Sequence, residues 1–368
     1  MKILTIVGAR PQIIKAAALS RAIQNHYADR VQEVIVHTGQ HYDDNMSQVF
    51  FDELGIPKPD YNLHVGSASH GVQTAQMMEG IEKTLLEERP DCIVLYGDTN
   101  STLAGAVAAA KIHVPIVHIE AGLRSFNKNM PEEINRIVCD HCSTLLFTPT
   151  QAGIDNLAKE GFKINNDGPY TIDNPKVFHC GDIMYDNSLY FSTIADQSVG
   201  LLQRLGLKGK PYVLATLHRD SNTDDPCRLS SILKAFTELS KEIPIVFPMH
   251  PRTRKMAGNF QAENIIITPP VSFLEMIQLE KHAQLILTDS GGVQKESYFF
   301  QKPCVILRPE TEWVEIVETG AATLADADTN RILEASRHYL KEPPFRFPEI
   351  FGDGHAAEFI LDKMMLLQ

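Results

Sequence analysis

Acidic and basic residues follow short apolar runs again and again along this chain, the spacing by which a sheet-based enzyme presents side chains to a ligand. Asp98 follows the run 92–96 and Gly97, and Glu120 follows 116–119. Glu132 and Glu133 come directly after Pro131, His218 and Arg219 after 213–217, and His250 and Arg252 after 245–248. The stretch 285–297 reads L-I-L-T-D-S-G-G-V-Q-K-E-S: an apolar run broken by Asp289-Ser290-Gly291-Gly292 before a segment that can be helical. A strand, tight turn and helix start of this kind offers N–H groups to an anion, and glycines let a ligand approach the backbone. Glu296, about one turn on, could accept hydrogen bonds from a sugar or ribose diol. Candidate acid/base groups, Asp98, Glu120 and Glu132, thus fall in the first half. Candidate anion-binding groups, His218, Arg219, His250 and Ser290-Gly291-Gly292, fall in the second, with a nucleotide diphosphate as the expected ligand. Arg10 and Lys15, near the start, are cations for a phosphate or the substrate.

Each of these residues also has a plainer role. The Ser290-Gly291-Gly292 turn could be an ordinary capped βα turn, and Asp98 could cap the helix expected over 101–111. Glu132 and Glu133 suit a first helical turn, where the helix dipole favours acids. His218 could be a satisfied structural histidine, and Lys15 a solvated helix residue. Residue types alone leave these alternatives open.

The elements that must position these groups are legible as a β/α alternation. Strand-like runs occur at 3–7, 34–37, 92–96, 116–119 and 145–147. An Asn-, Asp-, Gly- and Pro-rich loop follows at 164–176, then another strand at 177–180. A second series has strands at 213–217, 245–248, 265–267, 285–288 and 305–307. The runs are continuous rather than alternating, as in strands covered by helices on both faces. With 368 residues, the chain exceeds the size of one core. The expectation is two doubly wound α/β domains, Rossmann-like and facing a cleft, over 1–170 and 171–355, with a terminal helix at 356–368 returning to the first.

Composition excludes several classes of function. Apolar residues make up 43% and charged residues 22%, which is ordinary for a globular protein. A formal charge of −12 gives no broad positive field for nucleic acid, so an anionic ligand must rely on local cations. No apolar run approaches membrane-spanning length, the N-terminal run is too short for a signal peptide, and six scattered cysteines lack disulfide-scaffold spacing. These features together predict a cytoplasmic protein with no membrane or nucleic-acid partner. Cys139 and Cys142 form a C-x-x-C without a second pair at zinc-site spacing, within a predicted helix running into a strand, so no metal is expected. P-loop, dinucleotide, H-E-x-x-H and G-x-S-x-G signatures are all missing, and no cofactor is expected.

Taken together, Val7-Gly8-Ala9-Arg10-Pro11, Gly39-Gln40-His41, Gly97-Asp98-Thr99, His118-Ile119-Glu120-Ala121-Gly122-Leu123-Arg124, Pro131-Glu132-Glu133-Ile134-Asn135-Arg136, His218-Arg219 and 288–296 resemble the non-hydrolysing UDP-N-acetylglucosamine 2-epimerases. The resemblance runs in order over nearly the whole chain. It implies a GT-B-like pair of Rossmann domains, a UDP-sugar substrate and a homodimer. By motif position it implies that Asp98, Glu120, Glu132 and His218 carry catalysis and that Arg10 and Lys15 line the site. It further implies that Ser290, Gly291, Gly292 and Glu296 hold diphosphate and ribose, and that Phe273 stacks on uracil. The plain UDP-GlcNAc enzymes have G-T-R-P-E-A-I-K, H-R-R-E-[NS] and T-E-R-P-E. This chain has Gly8-Ala9-Arg10-Pro11-Gln12-Ile13-Ile14-Lys15, His218-Arg219-Asp220-Ser221 and Thr311-Glu312-Trp313-Val314-Glu315. Its Gly97–Thr102, Arg124–Asn127 and 311–315 segments look more like the branch acting on UDP-2,3-diacetamido-2,3-dideoxy-glucuronate in surface-polysaccharide synthesis. Gln76 stands where some bacterial members have an arginine of an allosteric site.

The implied chemistry is demanding, because the C2 proton of a 2-acetamido sugar is not next to a carbonyl. If UDP leaves C1, positive charge at the anomeric carbon acidifies C2–H, and a carboxylate can remove that proton to give a glycal. Protonation from the opposite face and return of UDP complete the inversion. A GT-B glycosyltransferase, which would pass the sugar to an acceptor, and a non-catalytic UDP-sugar sensor are the alternatives. The acids of the first half favour epimerisation over both.

Overall fold

Continuous apolar runs demand cover on both faces, and the computed structural model shows it for the residues it describes, 1–39, 57–198 and 200–367. In the first unit, β1 (Lys2–Val7), β2 (Gln32–His37), β3 (Tyr61–Asn62), β4 (Cys92–Tyr96), β5 (Ile116–Ile119), β6 (Leu145–Thr148) and β7 (Lys176–His179) pair in parallel in the order β3-β2-β1-β4-β5-β6-β7. In the second, β8 (Val213–Thr216), β9 (Ile245–Pro248), β10 (Ile265–Thr268), β11 (Leu285–Thr288), β12 (Cys304–Ile306) and β13 (Ala322–Leu324) are also parallel, in the order β10-β9-β8-β11-β12-β13. Both are doubly wound α/β folds.

Neighbouring residues of one strand enter different cores. Val213 and Ala215 pack with Ile232, Phe236 and Phe247 on one face of the second sheet. Leu214, Val246 and Ile286 pack with Leu201, Leu207 and Leu279 on the other. This two-sided burial explains why the strands read as unbroken apolar runs.

The order of connection fixes where each unit can bind something. Strand order reverses between β1 and β4 in the first sheet and between β8 and β11 in the second. A crevice opens at the carboxyl ends of the strands flanking such a switch point, because the helices after those strands leave on opposite faces. Gly8–Arg10 and Gly97–Asp98 follow β1 and β4, and His218 and Ser290 lie just beyond β8 and β11.

The first unit comprises Met1–Asn187 and Ile350–Gln368, and the second Ser188–Glu349. The division thus lies beyond the 170/171 position expected from sequence. The reason is β7, which pairs with β6 and carries the first sheet past the Asn- and Pro-rich loop. The terminal helix Ala356–Met364 belongs to the first unit: Asp186 accepts hydrogen bonds from the Ala356 and Ala357 N–H groups at 3.1 and 2.8 Å, and the Tyr27 hydroxyl donates to Asp362 at 2.7 Å. The edge strands β3 and β13 give no clear sequence signal, with only two and three residues each. Gln40 and His41 of the Gly39-Gln40-His41 motif lie outside the described residues. Among the described residues, no helix is long and apolar enough to cross a membrane.

One turn shows how tightly the first unit is drawn together. Gly122 has φ +77°, and a Cβ there would sit 2.5 Å from the Gly153 carbonyl oxygen. Both the left-handed backbone and the close approach require glycine. Gly122→Ala is expected to cost about 2 kcal/mol or more, read as a Tm several degrees lower in thermal unfolding; an unchanged Tm would show that the loop can yield.

Candidate functional site

The candidate acids of the first unit gather at its switch point. Lys15, on the helix Arg10–Ala22, places its ammonium 2.6 Å from Glu120 Oε2, and both side chains are nearly buried. Glu120 holds φ +72°, a costly conformation for a residue with a side chain, and such strain persists where the surroundings enforce it. Gly97, at φ +60°, lies against the same pair: a Cβ there would be 3.2 Å from the Lys15 ammonium and 3.7 Å from Glu120 Oε1. Burial pushes the Asp98 carboxyl up from its ordinary range, Arg136 opposes this, Glu120 and Glu132 add to it, and Lys15 offsets it. Asp98, Glu120 and Glu132 therefore share one electrostatic environment with Lys15 and Arg136. A carboxyl group biased towards its protonated form among other carboxyl groups is the kind of arrangement that paired acid/base chemistry uses.

The segment 131–136 divides its labour by helical spacing. Glu132 is exposed, whereas Glu133 is buried and accepts hydrogen bonds from the Ser125 and Phe126 N–H groups at 2.9 and 3.0 Å. Asn135 donates to the Asp98 carbonyl at 2.9 Å, and Arg136 pairs with the Asp98 carboxylate. Of the two adjacent acids, one braces a loop and the other is exposed. Arg10 is exposed at the start of its helix.

Beneath these groups lies a charged pair without solvent. His118 Nδ1 is 2.7 Å from Asp140 Oδ1 and Nε2 is 2.8 Å from the Gly97 carbonyl oxygen. Asp140 also accepts from the Gly122 N–H at 3.1 Å and pairs with Arg124 at 2.7 Å, which keeps it ionised. Both ring nitrogens of His118 face acceptors, so both carry protons and the ring is an imidazolium. Burial alone would lower its pKa, but Cys139 and Asp140 beside it hold it well above the usual histidine range. Gln12 makes a parallel tie. Its carbonyl accepts from the Gly8 and Ala9 N–H groups at 2.9 and 3.2 Å, and its amide donates to the Tyr96 carbonyl at 2.9 Å, linking the ends of β1 and β4. An ionised glutamate could not make that donation.

In the second unit, the hub is a residue that sequence motifs did not single out. Asp289 is fully buried and accepts from the N–H groups of His218 (3.1 Å) and Arg219 (2.9 Å) and from the Asn222 amide (3.2 Å). His218 Nδ1 is 3.4 Å from Asp289, and the His218 and His250 rings are 6.1 Å apart. His250 also caps the helix Pro251–Ala257 by accepting from the Arg252 N–H at 3.2 Å, and the Arg252 guanidinium turns to Asp224. Ser290 caps the helix Gly291–Phe299. A Cβ on Gly291 or Gly292 would meet nothing closer than 3.6 Å, so the chain's own packing does not require glycine there and the space over the helix terminus is open. Glu296 reaches back to this terminus, with Oε2 4.0 Å from the Cβ position of Gly292.

The segment 308–313 supports the same turn. Arg308 holds Glu312 through two hydrogen bonds at 3.0 and 2.9 Å, Thr311 donates to Gln294 at 2.6 Å, and Lys295 lies 4.3 Å over the Trp313 ring. Phe273 is mostly buried, edge-on to Phe191 at 5.4 Å. Cys139 and Cys142 share the helix Pro131–Cys142, and both are free thiols. Asp140, Gln12 and Asp289 escaped sequence reasoning because each has partners far away along the chain that only the fold brings near. The one available signal was that each stands within a motif already flagged.

Comparison with known proteins follows the same lines. The family model for UDP-N-acetylglucosamine 2-epimerase matches residues 22–365. A Pseudomonas aeruginosa protein named UDP-2,3-diacetamido-2,3-dideoxy-D-glucuronate 2-epimerase is 48% identical, covering 100% of both chains. A Methanococcus maripaludis UDP-N-acetylglucosamine 2-epimerase homolog is 49% identical, covering 99% of both. The crystal structure of Methanocaldococcus jannaschii UDP-GlcNAc 2-epimerase in complex with UDP-GlcNAc and UDP matches with a TM-score of 0.84 at 40% identity, covering 99% of each chain.

Burial lowers the pKa of His218 below its ordinary 6.5, against Asp289 and with Arg219 and His250. The unfolded chain then takes up this proton more readily than the folded one, so stability from His218 is complete above about pH 6.5 and is lost as pH falls below it. Denaturant unfolding at pH 7.5 and 5.5 should show a smaller loss for His218→Gln than for the parent. Equal losses would mean that His218 does not contribute.

Proposed function

This chain belongs to the UDP-N-acetylglucosamine 2-epimerase family, and on that premise we propose how its residues share the work and which sugar it takes. It is an isomerase that inverts C2 of a UDP-2-acetamido sugar. The observation that carries the assignment of roles is the cluster of Asp98 and Glu120 with Lys15 at the first switch point. The C1–O bond breaks with its electron pair leaving on UDP. One carboxylate takes the C2 proton, and the C–H electrons form the C1–C2 double bond of the glycal. A second carboxyl group returns a proton to the other face of C2 as UDP adds back to C1. Asp98, Glu120 and Glu132 are the groups proposed for the two faces and for tuning them, with Lys15 paired to Glu120 and Arg10 proposed for the substrate.

His218, neutral in the free protein, and Arg219 offer N–H groups to the departing diphosphate, assisted by His250 and by the helix start at Ser290, Gly291 and Gly292. Glu296 takes the ribose diol and Phe273 the uracil. The proposed substrate is UDP-2,3-diacetamido-2,3-dideoxy-glucuronate, giving the manno epimer for surface-polysaccharide synthesis. Support comes from the 48% full-length identity to an enzyme named for that sugar. UDP-GlcNAc, giving UDP-ManNAc, is the second reading, supported by a 49% identical relative named a UDP-N-acetylglucosamine 2-epimerase homolog and by the Methanocaldococcus jannaschii enzyme solved with UDP-GlcNAc and UDP. The same family membership supports a cytoplasmic homodimer.

Incubation with each UDP-sugar in D₂O without acceptor, followed by NMR at C2, tests the reaction. Deuterium should enter C2 as a gluco/manno pair appears, faster with the diacetamido-glucuronate. Absence of exchange with either sugar would overturn the proposal, and faster exchange with UDP-GlcNAc would reverse the choice of substrate. Glu120→Gln is expected to lower C2 exchange by about a hundredfold or more while leaving UDP affinity within about twofold. If UDP affinity falls as far as exchange does, Glu120 is a structural residue.

A further inference from the structure

One buried acid in the second unit has no place in the chemistry above. Glu280, on the helix Phe273–His282, is 0% exposed. Neither of its carboxyl oxygens receives a hydrogen bond from an N–H or O–H donor among the described residues. A carboxylate buried in this way, with no donor to it, would be strongly unfavourable. The Tyr212 hydroxyl, which feels the Glu280 carboxyl, offers no relief, because it donates its O–H to the Leu279 carbonyl at 2.7 Å. The side chain that Glu280 does meet is Glu296, on the neighbouring helix Gly291–Phe299, within hydrogen-bonding reach. Two carboxyl groups can bond to each other only if one of them keeps its proton.

Burial decides which one. Glu280 is sealed, whereas Glu296 is partly exposed and reaches towards the open helix terminus at Gly292. Burial first, and then the Glu296 charge, hold the Glu280 carboxyl well above the ordinary range.

We propose that Glu280 is a positioning residue for nucleotide recognition: a neutral carboxylic acid whose O–H donates to the Glu296 carboxylate and aims that carboxylate at the ribose diol of a uridine diphosphate. The bond does two things. It ties down one lone pair of Glu296, which fixes the χ angles of a flexible side chain before the ligand arrives. It also leaves the charge on Glu296, where a hydroxyl donor gains a charge-assisted hydrogen bond. The inference rests on the reading of Glu296 as the ribose acceptor.

The test compares UDP with its 2′-deoxy and 3′-deoxy analogues, by calorimetric titration of the full-length protein and its variants. The parent is expected to prefer UDP over at least one analogue by about tenfold, the value of one such hydrogen bond. Glu280→Gln, which keeps an N–H donor of similar shape, should retain most of that preference. Glu280→Leu should bring the ratio close to one, with a smaller loss of affinity for the deoxy analogue itself. A residue that merely filled the core would weaken all three ligands alike and leave the ratio where it was, and that result would overturn the proposal. Glu296→Ala separates the two readings. If its ratio equals the parent's, the ribose assignment fails; if its ratio collapses while that of Glu280→Leu does not, only the role of Glu280 fails. Should Glu280→Leu not fold, infrared difference spectra of the parent and Glu280→Gln at neutral pH decide the matter. The parent should show a protonated-carboxyl band that the variant lacks, and its absence would refute a neutral Glu280.

Discussion

An imidazolium held between two acceptors without solvent is the constraint on which the first unit's chemistry depends. His118 donates to Asp140 on one side and to the Gly97 carbonyl on the other, and Asp140 in turn receives the Gly122 N–H and Arg124. Gly97 directly precedes Asp98, and Gly122 lies two residues after Glu120. A single buried charge pair thus ties together the two loops that carry the candidate acids. Such a pair adds little to net stability, because desolvation of both charges consumes most of their attraction. Its value lies in geometry: removing either partner strands the other as an uncompensated buried charge, so the loops have one favourable arrangement.

The second unit solves a different problem by similar means. What that unit offers to the proposed anion is a set of N–H groups and a helix start rather than an array of lysines, which suits a chain with a formal charge of −12. Asp289 plays the part of Asp140: it is a buried carboxylate that gathers the backbone N–H groups of His218 and Arg219. In both units a fully buried acid organises residues that are candidates to contact a ligand. Burial also separates the protonation of neighbouring acids, raising Asp98 beside Glu120 and Glu280 beside Glu296. One kind of side chain can therefore serve both as a proton carrier and as a fixed charge.

Much of this was legible in the sequence. The covered strands were visible as continuous apolar runs, and the residues immediately after them proved to sit at strand ends, because a parallel sheet places every carboxyl end on one edge. The short edge strands β3 and β13 were not legible, since two or three residues bonded to a single neighbour carry no pattern. Glu132 and Glu133 could not be told apart in sequence. Only the turn of the helix shows that Glu133 is occupied by the Ser125 and Phe126 N–H groups while Glu132 is exposed.

By itself, then, the order of residues determined the two α/β folds, the family, and the set of side chains able to do chemistry, because apolar periodicity and motif spacing are local properties of the chain. Tertiary structure alone decided the state of those side chains. The charge on His118, the ion pair of Lys15 with Glu120 and the approach of Glu280 to Glu296 depend on distances that only the fold sets. Proton affinity follows from desolvation and neighbouring charge, and neither exists until the chain has folded.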